Sequence, residues 1–336
     1  MATTKTLTEI ELHDAPPIPG LRFIAFDMDR DVGGLVEVMV ESNLADGVDY
    51  LPNAESHRVD LEHTPNLEPA RDIILAAIDD RVVGAAQHSI RVRGDTAVHH
   101  VDGWVRPAER RRGIGRALLH WTEARARATA ATWRGPESHA VTIWPDEDQA
   151  GLVALVESEG YGSIRYGFMM LRPLAEPILD APLPEGLEIR PVRAEDHRRI
   201  WDADVEAFED HWKAAVRTDE DYEGWYASPE LDTTLWRVAW DGDEVAGSVM
   251  TFVFREENER LGVKRAWLEH VSVRRPWRRR GLAAALITDT LRGLRERGLD
   301  EAALGVDAEN ISGALRLYES LGFRRHRMGI CYAKAL

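Results

Sequence analysis

The segment VRRPWRRRGLA, residues 273–283, joins a predicted strand to a predicted helix. An apolar run over 267–273 precedes it, and apolar residues recur at helical spacing over 282–297 after it. Gly281 and Ala283 are small, so the backbone can approach a ligand closely and open a helix at once. A helix N-terminus has unpaired N–H groups and a positive dipole end, which favour an anion, most often a phosphate. Because the arginines at 278–280 add charge that suits a phosphate, the segment predicts a phosphate-binding turn.

The same pattern occurs in the first half of the chain, as Arg110-x-x-Gly113-x-Gly115. The two loop glycines, at 113 and 281, lie 168 residues apart, and the glycines that end a later helix in each half, at 160 and 322, lie 162 residues apart. A nearly constant offset predicts a tandem repeat. Four prolines within 173–186 indicate a linker. We therefore predict an N-terminal domain over 1–172, a linker over 173–186 and a C-terminal domain over 187–336.

Both halves predict the same order of elements. A strand and helix lead into a meander of three strands, and the glycine loop, a long helix, a strand, a short helix and final strands follow. In the second half, the charged segment between 254 and 265 is predicted to be a hairpin loop. The predicted fold class is α+β with αβα layers, in which two tandem domains each have a mixed, mostly antiparallel sheet flanked by helices.

Length and composition restrict the function classes. The chain has 336 residues, 44% of them hydrophobic and 30% charged, which is typical of a soluble globular protein with two domains. Its net charge of −16 argues against a nucleic-acid or membrane-surface partner. A single cysteine, Cys331, excludes an internal disulfide and is predicted to be a small apolar strand residue. No signal-like or membrane-spanning run is present, so we expect a cytoplasmic location.

We expect no metal site. The histidines at 57, 63, 99 and 100 lack ligand spacing with carboxylates, and we interpret them as exposed loop residues.

Two motifs in the second half resemble the GNAT superfamily of acyl-CoA-dependent N-acetyltransferases. The first is Val271-x-Val273, with a proline at 276 and then Arg278-x-x-Gly281-x-Ala283. The second is Asn310-x-x-x-Ala-x-x-x-Tyr318-x-x-x-Gly-Phe, residues 310–323. The resemblance covers nearly the whole second half, and most of the first half in element order and loop.

The resemblance implies acetyl-CoA as co-substrate and a role for each matching residue. The loop Arg278, Arg279, Arg280, Gly281, Leu282 and Ala283 would hold the CoA phosphates. Backbone groups of Val271 and Val273 would pair with the pantetheine arm, which Asn310 would also contact. Tyr318 would act as the acid that protonates the leaving thiolate. In the first half, Arg110, Gly113 and Gly115 would form the matching CoA loop.

The reaction also needs a base, because amines are protonated at neutral pH. Glu269, on the strand before the loop, is the best candidate, directly or through water; the alternative is a solvent-facing strand residue. His270 alternates with Glu269 and should face the other side of the sheet, so we interpret it as structural unless a bulge lies here.

The two halves differ at the predicted catalytic positions. Alignment on the repeat sets Val156 opposite Tyr318 and Val101 opposite Glu269. We therefore predict that the C-terminal domain is catalytic. The N-terminal domain either binds CoA without turnover or serves as a scaffold.

The acceptor side is predicted to come from residues 205–230, where carboxylates lie beside aromatic rings. Asp210, His211, Trp212 and Trp225 are the candidates for binding a small-molecule amine. The alternative is a solvated acidic helix pair whose aromatic residues pack on the sheet.

Three functions remain open from the sequence. The first is transfer of an acetyl group to the primary amine of a small molecule. The second is a non-catalytic acyl-CoA-binding sensor or partner module, and the third is a transferase acting on a peptide or aminoacyl acceptor.

Overall fold

The computed structural model describes residues 7–211, 214–309 and 313–336. The chain forms two compact units. Unit 1 comprises residues 1–164, 218–229 and 331–336, and unit 2 comprises residues 165–217 and 230–330. Within the described ranges, no helix is long and apolar enough to cross a membrane.

The first half of the chain supplies eleven of the elements. They are β1 (Leu21–Ala25), α1 (Met28–Asp46), α2 (Ala54–Glu62), α3 (Pro69–Asp72), β2 (Ile73–Ile78), β3 (Arg81–Arg93), β4 (Thr96–Val105), α4 (Ile114–Ala130), β5 (Ser138–Ile143), α5 (Ala150–Ser158) and β6 (Gly162–Pro173).

The second half follows a similar order, with two helices instead of three between its first and second strands and an added helix between its third and fourth strands. Its elements are β7 (Glu188–Arg190), α6 (His197–Phe208), α7 (Asp219–Ala227), β8 (Arg237–Asp241), β9 (Glu244–Phe252), α8 (Arg255–Leu261), β10 (Arg265–Val273), α9 (Leu282–Glu296), β11 (Glu301–Asp307), α10 (Ala314–Ser320) and β12 (Arg324–Ala335).

The sheet of unit 1 separates two layers of helices. Strands β1 to β5 follow each other in order; the pairs are antiparallel except for the parallel pair β4–β5. Alternate residues face opposite sides: Ile73 and Leu75 of β2 pack with Leu35 and Met39 of α1, whereas Ile74 packs with residues of α4. This confirms the predicted layers and the mixed, mostly antiparallel sheet.

The sheet of unit 2 has the same plan. Antiparallel pairing joins β7 to β8, β8 to β9 and β9 to β10, and β10 pairs in parallel with β11. Helices α6 and α9 both pack on β9 and β10.

Each unit is completed by a strand from the other half of the sequence. Gly167–Pro173 of β6 pair with β11 in unit 2, and Tyr332–Ala335 of β12 pair with β5 in unit 1. Helix α7 also belongs to unit 1. The boundaries of the compact units therefore differ from those of the contiguous domains, 1–172 and 187–336, that the repeat predicted.

The segment between β9 and β10 is a helix, so the predicted hairpin loop was wrong. Helix α8 ends at Gly262, whose left-handed backbone (φ 67°) places its N–H on carbonyls of the last turn. Two of its polar residues are buried and bonded: Asn258 Nδ2 donates to the Arg265 carbonyl at 2.8 Å, and Glu257 Oε1 accepts from Trp267 Nε1 at 3.0 Å. These contacts stabilise a charged helix that composition alone did not indicate.

Two histidines that we interpreted as exposed loop residues are buried. His57 is 5% exposed and His99 is fully buried in β4. His99 lies in a row of imidazoles across three strands: its Nδ1 lies 2.8 Å from His88 Nε2 and its Nε2 lies 2.9 Å from His139 Nδ1. Burial lowers the pKa of His99 to about 3, so this central imidazole is neutral at physiological pH, and we interpret the row as structural.

Candidate active site

Unit 2 contains a cavity of about 890 Å3 at the end of β10, large enough for an extended small molecule. Four elements meet there: the end of α6, the second part of β10, the start of α9 and the helix α10. Its wall includes Arg165, Phe208, Asp210, His211, Val271, Ser272, Val273, Arg278, Arg279, Gly281, Leu282, Ala283, Asp307, Glu309 and Tyr318.

The cavity opens where two strands separate. The parallel pairing of β10 with β11 covers only Arg265–Trp267 and Glu301–Ala303. Val271 and Val273 lie beyond that point and line the cavity. On their other side they still pair with Val249 and Gly247 of β9. A strand that is paired on one side and open on the other can bind an extended chain through its backbone.

The glycine loop has a backbone shape that suits an anion. Arg279 (φ 59°) and Gly281 (φ 84°) both have left-handed backbones, and α9 begins at Leu282. For a residue other than glycine this conformation costs about 1–3 kcal/mol and is concentrated at functional sites. Alternating left-handed residues before a helix direct successive N–H groups to one point, as anion sites require.

Arg278 holds this loop against the end of β10 and against α6. Its guanidinium donates to the Val273 carbonyl at 2.9 Å, to Asp210 Oδ2 at 2.5 Å and to the Ala207 carbonyl at 3.0 Å. Arg275 donates to the same carboxylate, and these two arginines hold the pKa of Asp210 well below its usual range. Asp210 is thus a charged anchor between α6 and the loop.

The remaining loop residues differ in position. Arg279, Leu282 and Ala283 lie in the cavity wall, whereas Arg280 is an exposed residue of the loop outside that wall.

Tyr318 lies in the cavity wall on α10 and is only 7% exposed. Its ring packs edge-on against Phe323, with ring centres 5.9 Å apart. Burial raises the pKa of Tyr318 to about 12, so the phenol keeps its proton at neutral pH. A buried, protonated phenol can donate a proton to a nearby anion.

Glu269 lies at a β-bulge. The pairing of β10 with β9 shifts between Leu268 and His270, which leaves Glu269 as the extra residue. Its side chain is accessible, yet the surrounding protein raises its pKa, and the neighbouring His270 opposes part of that rise. Glu269 is close in sequence to the cavity wall but is not part of it.

The predicted acceptor residues lie in different parts of the structure. Asp210 and His211 both line the cavity, and the His211 ring lies 4.3 Å from that of Phe208. Burial lowers the pKa of His211. Trp225 lies in α7, which is part of unit 1, so it is not brought to this cavity. The predictions for Trp212 and Asn310 fall outside the described residues.

Unit 1 has a smaller cavity, of about 520 Å3, at its own glycine loop. Arg110, Gly113 and Gly115 line it, and Arg111 and Gly113 repeat the left-handed backbone of the other loop. Arg110 donates to the Val105 carbonyl at 3.1 Å and to Asp46 Oδ1 at 2.6 Å, as Arg278 does to Val273 and Asp210.

The catalytic pattern is not repeated in unit 1. Val156, opposite Tyr318, is fully buried, and β4 pairs with β3 without a bulge. Asp102 is the one acidic residue on β4 that lines this cavity, and burial raises its pKa to about 6. The sequence alignment did not single out Asp102, although it precedes Val105 by three residues, as His270 precedes Val273.

Sequence reasoning also missed a polar cluster behind β10, formed by Asp204, Arg217 and His270. Asp204 Oδ2 lies 2.7 Å from His270 Nδ1. The two residues are 66 positions apart in the sequence, and no local pattern connects them. Only the packing of α6 on β10 brings them together.

In the parts of the chain that the structure describes, no group of three or more His, Cys, Asp or Glu residues could hold a metal ion. The expectation that the reaction needs no metal stays a prediction.

Comparison with known proteins agrees with this geometry. The acetyltransferase (GNAT) family matches twice, over residues 40–158 and 197–323. Each match contains one glycine loop.

Relatives and solved structures match nearly the whole length of this chain. A mycothiol acetyltransferase of Geodermatophilus obscurus is 31% identical over 320 residues, covering 92% of this chain and 97% of that protein. A GCN5-related N-acetyltransferase from Sphaerobacter thermophilus superposes with a TM-score of 0.70 at 25% identity, covering 95% and 96% of the two chains. A tandem GNAT protein from the clavulanic acid biosynthesis pathway has a TM-score of 0.66 at 18% identity, covering 94% and 98%.

Proposed function

Since the chain belongs to the GNAT acetyltransferase family and is an acyl-CoA-dependent acetyltransferase, we propose that unit 2 transfers the acetyl group of acetyl-CoA to the primary amine of a small molecule. The observation that carries this proposal is the opening between β10 and β11. It is lined by Val271 and Val273, ends at the anion-binding loop and has Tyr318 in its wall.

Two features of the opening support acetyl-CoA as its ligand. The loop amides after Arg279 and the start of α9 suit the pyrophosphate. The open backbone edge at 271–273 suits the amides of the pantetheine arm. In this proposal Arg278 acts by shaping the loop, because its guanidinium is already bonded to the Val273 carbonyl and Asp210. The prediction for Asn310 stays untested.

Glu269 is the proposed base. It removes a proton from the incoming ammonium, directly or through water, and its raised pKa makes it a better proton acceptor than an ordinary carboxylate. The amine nitrogen then attacks the thioester carbonyl carbon, and the carbon–sulfur bond breaks. No covalent enzyme intermediate is required.

Tyr318 is the proposed acid. The departing thiolate takes the phenol proton. The attacking nitrogen gives up its second proton, which restores the phenol, and the proton on Glu269 is released to solvent. Its burial supports this role, since the raised pKa of Tyr318 keeps the proton in place until a strong base forms.

The acceptor is proposed by class. Relatives carry the name mycothiol acetyltransferase, and we carry over to this chain only a small-molecule primary amine as acceptor. Asp210 already accepts hydrogen bonds from Arg275 and Arg278. Of the predicted acceptor residues in the cavity wall, this leaves His211 to contact the amine. We also propose a cytoplasmic location.

Unit 1 is proposed to bind acyl-CoA without turnover or to serve as a scaffold. It retains the loop and a cavity, but valines replace both catalytic candidates. The number of CoA molecules bound per chain, measured by calorimetry, distinguishes the two possibilities: two indicate a binding unit and one indicates a scaffold.

Thiol release from acetyl-CoA against a panel of amines tests the proposed activity. We expect release to depend on a primary amine and the acetylated product to appear by mass spectrometry. CoA binding without turnover on any amine of a broad panel would favour the sensor module instead. Turnover only on peptides would favour the peptide-directed transferase.

A further inference from the structure

We propose that Asp204 and His270 form a positioning pair that fixes the bulge residue Glu269 for its work as the base, an inference that rests on the proposed function of Glu269. The pair lies on the face of β10 that packs on α6. Neither residue is required to touch the amine or the thioester.

The imidazole of His270 is held on three sides. Its Nδ1 lies 2.7 Å from Asp204 Oδ2, its Nε2 lies 3.1 Å from Arg217 Nη2, and the Phe208 ring packs on it at 5.0 Å between centres. A guanidinium can only donate a hydrogen bond. Nε2 therefore accepts from Arg217, and Nδ1 carries the proton that is donated to Asp204. These contacts fix both the tautomer and the orientation of the ring.

Asp204 is a fully buried carboxylate on α6, with no side-chain exposure. Burial alone would raise the pKa of Asp204, but His270, Arg217 and Ser272 stabilise its charge, and the net result is a lowered pKa. A buried charge with these partners is a rigid anchor, because its removal would leave His270 without an acceptor. Ser272 extends the network, since its hydroxyl lies 3.1 Å from that of Ser248 on β9.

The pair lies next to both the bulge and the cavity. His270 directly follows Glu269, and Ser272, Phe208 and His211 are cavity-wall residues. Because His270 and Ser272 of β10 and Arg274 just after it contact α6, the strand after the bulge is fixed in register. A bulge bends its strand and re-aims a side chain. The contacts of His270 with Asp204, Arg217 and Phe208 limit how far this bend can vary. They therefore determine where the Glu269 carboxylate points.

The groups that face His270 are the Asp204 carboxylate, the Arg217 guanidinium and, on β9, the uncharged Met250. His211, beyond Phe208, is electrostatically coupled to the pair.

The test is the pH dependence of kcat/KM for the full chain in five forms: wild type, H270N, H270Q, D204N and E269Q. Asn at 270 retains a donor at the position of Nδ1, whereas Gln extends its amide toward the position of Nε2. We expect H270N to retain more activity than H270Q and D204N, which should lose roughly tenfold to a hundredfold because the base is misplaced.

The matched control is H326N, an exposed histidine in unit 2. It should behave as wild type. Acetyl-CoA affinity and the thermal melt are measured on every variant. Acetyl-CoA affinity should stay at its wild-type value in H270N and H270Q, and every variant should keep a cooperative melt.

Wild-type kcat/KM across the pH range in H270Q and D204N would overturn the inference. Joint loss of activity, acetyl-CoA binding and cooperative melting would also overturn it, because the pair would then be only structural. E269Q separates this inference from the proposed function. If E269Q loses activity and the His270 variants do not, only the positioning role fails. If E269Q retains activity and its acidic limb, the base assignment itself fails.

Discussion

Arg278 and Arg110 make equivalent contacts in the two units, and this equivalence shows what an arginine in the loop motif does. Each donates to the carbonyl of a strand-ending valine and to a carboxylate at or just after the end of a helix. The sequence assigned both to phosphate binding, because an arginine beside a glycine turn suits an anion. The pattern could not show the partners, since Asp210 and Asp46 lie 68 and 64 residues away.

We predict that R278K raises the KM for acetyl-CoA by roughly tenfold, about 1.4 kcal/mol, with a smaller effect on kcat. Lysine cannot reach the Val273 carbonyl, Asp210 and the Ala207 carbonyl together, so the loop would lose its brace. Steady-state kinetics with varied acetyl-CoA measure this. R110K removes the matching contacts in unit 1 and is the control. Equal KM values for R278K and R110K would contradict a specific role of the unit 2 loop.

The positions of Tyr318 and Glu269, the two residues proposed to be catalytic, were predictable only in part. Tyr318 was identified from its spacing to the terminal glycine, and the structure places it in the cavity wall. Glu269 was placed on the correct strand, but period-two alternation cannot reveal a bulge. The bulge also gives His270 a partner on α6 that the sequence could not show. The role of Glu269 as the base stays a prediction.

At the scale of elements, the glycine loop and the helix after it were the best predicted part of the site. Small residues, a preceding proline and regular apolar spacing all act locally, so they specify a turn and a helix start without tertiary information. The helix α8 was missed for the opposite reason. Its buried Glu257 and Asn258 gain their partners from β10, which no local composition indicates.

We predict that G281A costs about 1–2 kcal/mol of stability and also raises the KM for acetyl-CoA. A methyl group at Gly281 would meet no atom within 4 Å, so the cost comes from the left-handed backbone alone. Gly298, after the end of α9, has a similar φ of 79° and equal space, but it lies outside the cavity wall. G298A is therefore the control with the same stability cost and an unchanged KM. Urea denaturation measures the stability cost in both variants, and steady-state kinetics measure the KM for acetyl-CoA. A KM that rises equally in both variants would contradict the role of the loop backbone.

At the scale of the whole molecule, the repeat was predictable and the exchange of strands was not. A constant offset between glycine motifs is a property of the sequence, and it correctly indicated two similar units. Which sheet a terminal strand joins depends on the open edge that it meets, and the sequences of β6 and β12 do not encode that edge. The proline-rich segment 173–186 suggested a clean boundary that the compact units do not follow.

We predict that truncation after Ile330 destabilises unit 1, although the removed residues come from the second half of the sequence. The deletion removes the pairing of Tyr332–Ala335 with β5, the 2.7 Å bond from Tyr332 to Glu157 and the 2.8 Å ion pair of Lys334 with the buried Glu123. We expect a loss of at least about 3 kcal/mol, measured by thermal melting and by hydrogen exchange of β4 and β5. Removal of Leu336 alone is the control and should have little effect. Unchanged protection of β5 in the longer truncation would contradict this account.

The central claim, that the unit 2 cavity carries out acetyl transfer with Tyr318 as the acid, is tested most directly by kcat for Y318F on the best amine of the panel. The account predicts a fall of roughly a hundredfold or more with unchanged acetyl-CoA affinity, because only the phenol proton is lost. The matched variant Y166F, at an exposed tyrosine of unit 2 outside the cavity wall, should retain wild-type kcat. A wild-type kcat for Y318F would contradict the claim.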